Sequence, residues 1–230
     1  MDDSPHSLQS LLDGLRSYLG HKSGINSADI DVVRLKELLA EYIPKADEWL
    51  EYGKPDDSRN YTRLLISDIN GQCNLVSLCR ISLTSSRLNP LQLFIVWNPA
   101  RHSPIHDHAD AHCVMKILKG TLEETLYNMP AGPSNGMKAT DTPLEVQRKT
   151  QYTENQVTYV SDDLGIHQIR NPDPNETAVS LHCKSIVRGV VGRLLSMFAV
   201  YTPPNAAEYG YNIFDQGTGK SSHVPGRQSC

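Results

Sequence analysis

Residues 104–113 read PIHDHADAHC, which sets three histidines, two aspartates and a cysteine in ten positions. His106 and His108 are two apart, so in an extended chain their side chains leave the same face. Imidazole suits iron, zinc, copper and nickel, and two nitrogens on one face make half a site. His112, Asp107, Asp110 and Cys113 each carry a further donor atom. The stretch alone leaves open which of them bind.

Working outward, four residues separate HDH from Cys113, and six more separate Cys113 from Gly120. Far downstream, GIHQIRN (165–171) places His167 after a turn glycine, with Asn171 four residues on. Around these motifs lie short β-branched or apolar runs: NLVSL (74–78), FIVW (94–97), HCVMKIL (112–118), TLEETLY (121–127), QVTYV (156–160), HQI (167–169) and TAVSL (177–181). Gly, Pro, Asn and Asp separate them. Many short strands at close spacing predict a sandwich or barrel. The segment 129–143 reads as a solvated loop.

The first fifty residues have another period. Leu8, Leu11, Leu12, Leu15 and Leu19 recur at helical spacing, with Gly20 as the expected stop. A second helix is expected after Ser27, through Leu35, Leu38 and Leu39, until Pro44 ends it. A short third piece, ADEWLEY, ends at Gly53. The chain divides into N-terminal helices at 1–54, packing on a β domain at 55–230.

Composition narrows the function classes. Hydrophobic residues make up 39% of the chain, enough for a packed core rather than disorder. A net charge of -4 gives no basic footprint, so no nucleic-acid partner is expected. No apolar run is long enough to cross a membrane, and MDDSPHSLQS has neither the charged nor the apolar region of a secretory signal. A cytoplasmic setting is expected. Five cysteines at irregular spacings, without a CxxC pair, argue against a disulfide framework or a zinc ribbon.

The two histidine motifs together resemble those of the cupin superfamily: HxH, four residues, Glu, six residues, Gly, then a distant HxxxN. The resemblance implies a mainly β jelly-roll barrel with a short N-terminal helical segment, in agreement with the strand count. Cys113 stands where the common pattern has a glutamate ligand, so the protein would offer three neutral imidazoles and no carboxylate. PIHDHADAHCVMKILKG, YTRLLI (61–66), GIHQIRN and AVSLH (178–182) narrow this to a resemblance to the eukaryotic cysteine dioxygenase family, from roughly residue 30 to 220.

That family implies Fe(II) held by His106, His108 and His167, with positions left for the sulfur and amine of L-cysteine and for O2. Both oxygen atoms would go to sulfur, giving cysteine sulfinic acid. The family's carboxylate-binding arginine falls on Arg63, with Tyr61 beside it; a guanidinium fork suits a carboxylate bidentately. Ser180, His182 and a tyrosine would share one inward face of a strand, and Cys113 would form a thioether crosslink with that tyrosine. His112, Asp107 and Asp110 would not be ligands, and Asp107 would orient a neighbouring histidine or the turn. The family suggests a monomer. The same chemistry on 3-mercaptopropionate, a metal-binding cupin without catalysis, and a zinc isomerase are the alternatives; Arg63 and Cys113 favour the cysteine enzyme.

The chain departs from the family at two places. Position 184, where the crosslinking tyrosine is expected, is Lys, and the continuation YTPP appears only at Tyr201. Residues 183–200 thus stand in place of one residue, an excess of 17; residues 79–96 before Trp97 show the same excess. Both begin with a cysteine inside an expected core strand, where inserted loops are not normally tolerated. Both are readable as translated introns: Cys183-Lys184-Ser185 can be encoded with a GTAAGT donor, and Ala199-Val200 with a CAG acceptor. Splicing would restore SLHLYTPP and bring Tyr201 beside His182. Unspliced, the chain could be inactive. The family pattern also runs past TGKSSHV into a further strand, whereas this sequence ends at GRQSC. Genomic DNA lacking GT and AG at those points would dismiss the intron reading.

Overall fold

The computed structural model describes residues 5–19, 31–47, 55–65, 93–109, 112–130, 141–184 and 210–225. The expected strand at 74–78, most of the third helical piece, most of the loop at 129–143, Asp110 and Tyr201 lie outside them.

The leucine spacing yields helix α1, Leu8–Leu19, which buries Leu11, Leu12, Leu15 and Leu19. Helix α2, Val32–Glu41, buries Leu35, Leu38 and Leu39. Its N-cap is Asp31 rather than Ser27: the carboxylate accepts the backbone N–H of Val33 at 2.9 Å and of Arg34 at 3.3 Å. These are the donors a helix start leaves unpaired. The helix ends at Tyr42, which is extended, two residues ahead of Pro44. Among the described residues, no helix is long and apolar enough to cross a membrane.

The other described elements are strands of two antiparallel sheets in a jelly-roll arrangement. The first has the order β1 (Tyr61–Leu65), β2 (Leu93–Trp97), β9 (Ala178–Lys184), β4 (Cys113–Lys119), β7 (Val157–Val160). The second has the order β11 (Ser221–Val224), β10 (Tyr211–Phe214), β3 (Ile105–His106), β8 (Ile166–Arg170), β5 (Thr121–Tyr127), β6 (Val146–Thr153). Strand β6 escaped the sequence reading because it is a polar edge strand, with most of its residues exposed. Strands β3, β10 and β11 are too short to show a period.

Residues 93–96, counted above in the first excess segment, form most of β2. Ile95 sits opposite Arg63 on one side and Ser180 on the other. LFIVW is β-branched and aromatic enough to hold a central position. Strand β9 likewise runs unbroken into the second excess segment, through Cys183 and Lys184.

The main core joins the leucines of both helices to Phe94, Val96, Val114, Ile117 and Leu181 of the first sheet and to Leu122 and Ile169 of the second. Leu19, Leu35 and Leu39 are fully buried, each contributing roughly 1.5–3 kcal/mol of apolar transfer. One polar residue fastens α2 to this core. The Lys116 Nζ on β4 donates to the carbonyls of Leu39 at 2.9 Å, Ala40 at 3.1 Å, and Tyr42. These are the acceptors a helix C-terminus leaves open, and an ammonium suits them. Burial pushes the Lys116 ammonium down to about 8.

Candidate metal centre

Strands β3 and β8 pair so that His106 and His167 are direct cross-strand partners. Opposed residues share a face, so this one register brings together two histidines 61 positions apart. Gly165 makes the register possible. Its φ is +128°, and a Cβ there would lie 2.2 Å from the Tyr127 carbonyl oxygen, so only glycine lets β8 start beside β5. His108 follows two residues after His106. All three are buried, and their candidate ligand atoms lie within 4.8 Å of one another. The ring centroids are 4.7–5.2 Å apart.

Hydrogen bonds fix two of the rings. His106 Nδ1 lies 3.0 Å from the Pro104 carbonyl. A carbonyl only accepts, so Nδ1 carries the proton and Nε2 keeps its lone pair. His167 Nδ1 donates to the Glu124 carboxylate at 2.8 Å, with the same consequence. His108 is held by Asp162, whose Oδ1 accepts the His108 backbone N–H at 2.6 Å and lies 3.5 Å from Nδ1. Burial works to raise Glu124, but the hydrogen bond from His167 and the charge of Arg148 outweigh it and hold the carboxyl below its ordinary value.

Asp107 ties down the turn between the two histidines. It accepts the Asn212 backbone N–H at 3.0 Å and the Asn212 side-chain amide at 2.6 Å, anchoring β10. His112 turns to Tyr159 instead: Nδ1 and the phenol oxygen are 2.6 Å apart, with the rings stacked.

The remaining expected site residues that the structure describes lie on the first sheet. Ser180 and His182 are buried and alternate along β9, with Ser180 Oγ 2.9 Å from His182 Nε2. The Trp97 indole N–H donates to Ser180 at 2.8 Å, and Tyr61 rests on Trp97 with centroids 4.8 Å apart. Cross-strand pairing aligns Arg63, Ile95, Ser180 and Ile117, so position 63 belongs to the face that carries Ser180 and His182. Cys113 is a buried thiol on β4, opposite Lys184 of β9.

Sequence reasoning missed Glu124 and Asp162. A signal for Glu124 existed: in TLEETLY it alternates with Leu122 and Leu126, a carboxylate in an otherwise apolar row. Asp162 had none, being brought to His108 only by the packing of two loops.

The family model described as "Cysteine dioxygenase type I" matches residues 21–186. Cysteine dioxygenase type 1 of Rattus norvegicus is 32% identical over 198 residues, covering 85% of this chain and 76% of the relative. That of Danio rerio is 30% identical over 221 residues, covering 96% and 85%.

Proposed function

The chain belongs to the cysteine dioxygenase type I family and is a thiol dioxygenase, and on that premise we propose that it is a non-haem Fe(II) enzyme that adds both atoms of O2 to the sulfur of L-cysteine. The product is cysteine sulfinic acid, the sulfinic rung of thiol oxidation. The observation that carries this reading is the buried trio His106, His108 and His167. The donor set fits a ferrous ion: imidazole is a suitable ligand, and two rings hold their Nδ1 protons away. Three neutral ligands bring no negative charge, so the thiolate of the substrate is welcome there. An iron held by them would supply open coordination positions and the redox chemistry that oxygen needs.

The protein's own groups do the positioning. Arg63 takes the substrate carboxylate in a two-point fork that lysine cannot reproduce. Tyr61 packs on Trp97 at one edge of the same sheet. Ser180 and His182, aligned by the Trp97 N–H, form a buried polar line across it. The proposal includes the thioether between Cys113 and Tyr201, which requires Tyr201 to reach Cys113 although Lys184 holds the opposing position.

The test is anaerobic loading with Fe(II), followed by cysteine-dependent oxygen uptake under labelled O2. Both labelled atoms are expected in the sulfinate, with L-cysteine preferred over 3-mercaptopropionate. A protein that binds no iron refutes the site; iron without uptake refutes the catalysis.

A further inference from the structure

Glu124 is a charged residue in a place where charge is costly. Its side chain is 1% exposed, and carboxylates at that depth require specific partners. It has four. One oxygen takes the His167 Nδ1–H at 2.8 Å. The other lies 3.4 Å from the Tyr152 hydroxyl, 3.5 Å from the Thr158 hydroxyl and 3.6 Å from the Arg148 guanidinium. Tyr152 and Arg148 come from β6, Thr158 from β7 of the opposite sheet, so the carboxylate is gripped from both layers.

The ladder explains the placement. Leu126 of β5 is opposite Arg148 of β6 on one side and His167 of β8 on the other. Those three form a row, and Glu124, two residues along β5, sits on the same face between the flanking pair. Arg148 is half exposed, so the line runs from solvent through a buried anion to a candidate metal ligand.

We infer that Glu124 is a positioning residue for the metal centre: it fixes the tautomer of His167 and supplies through that ring the negative charge that the three-histidine ligand set lacks, with Arg148 as its surface counter-ion. This rests on the proposed role of the three histidines. The chemistry is direct. A carboxylate accepting the Nδ1 proton leaves only Nε2 for a metal and raises the electron density there. Glutamine keeps the shape but loses the charge, and its amide can present N–H to the ring and favour the wrong tautomer. Asp162 is a lesser case, because its short contact is to the His108 backbone rather than the ring.

The test uses the full chain, titrated anaerobically with Fe(II), with the Fe(III)/Fe(II) potential of the loaded protein and the nitrogen NMR shifts of the metal-free imidazoles. Glu124→Gln is expected to weaken Fe(II) binding about 10–100-fold, to raise the potential and to remove the Nδ1–H signature of His167. Glu124→Asp should recover part of each. Arg148→Ala removes only the counter-ion, so it should move the potential the opposite way, downward, without loss of affinity. Parental affinity and potential in Glu124→Gln, or a same-direction shift in Arg148→Ala, would overturn the inference. Should Glu124→Gln fail to fold, the exposed Arg148→Ala variant decides. Should the parent bind no Fe(II), the proposed function falls, and the His167 tautomer alone decides the role of Glu124.

Discussion

Cys113 and Lys184 stand directly opposite each other across the β4–β9 ladder, in register with Met115 opposite His182 and Ile117 opposite Ser180. The family's tyrosine is expected at this position, and opposed residues share a face. Lys184→Tyr should therefore place a phenol ring beside the Cys113 thiol. Oxidation by dioxygen would then join sulfur to the ring with loss of two hydrogens, about 2 Da of mass in the folded protein. Tandem mass spectrometry is expected to link the peptides carrying 113 and 184. An unshifted mass after iron loading and turnover would separate the register from the chemistry.

The histidine assignments make opposite predictions for His167 and His112. His167→Ala removes one of three donor atoms and should abolish stoichiometric iron. His112→Ala loses only the contact to Tyr159 and should keep it. Metal analysis of both purified variants checks this, and undiminished iron in His167→Ala would refute the ligand set.

Arg63→Ala should raise the KM for cysteine more than tenfold, since a charge-assisted pair contributes roughly 1.5–3 kcal/mol, and leave iron content unchanged. Arg63→Lys should rescue little of it, because a point charge cannot replace the fork. Steady-state kinetics with an iron assay distinguishes the two effects; unaltered kinetics would remove Arg63 from the pocket.

Lys116 sets a pH dependence of stability. Its ammonium is depressed from 10.5 to about 8 in the folded protein, so between those values the unfolded chain binds more protons. Stability contributed at this position therefore rises with pH across that window. The difference in Tm between the parent and Lys116→Met should shift in favour of the parent from pH about 7.5 to about 10. At lower pH, Lys116→Met should still cost on the order of 1–3 kcal/mol, because the carbonyls of Leu39, Ala40 and Tyr42 lose their donor. Parallel melting curves at all pH values would contradict the titration.

Much of the molecule was legible in one dimension, where local periodicity carries the signal. The leucine spacing of α1, the apolar runs of β4 and β5 and the alternation of Ser180 and His182 needed nothing beyond the sequence. The polar edge strand β6 did not announce itself, because an exposed strand has no buried face to pattern. The start of α2, expected after Ser27, is set at Val32 by the Asp31 cap: several residues in this stretch can cap, and only the backbone turn selects Asp31.

Sequence alone determined that this chain carries two separated histidine motifs, HDH at 106–108 and His167 in GIHQIRN, in a β framework, because donor type and spacing are properties of the covalent chain; joining them into one set of three was what the family resemblance implied. Only the tertiary structure decided that Glu124 and Asp162 hold two of those histidines, that β2 lies between β1 and β9, and that Lys184 pairs with Cys113 across the ladder. Each of these depends on strand register and on loops meeting in space. A shift of one residue would send every side chain to the other face, and that choice is made by the packing of both sheets together.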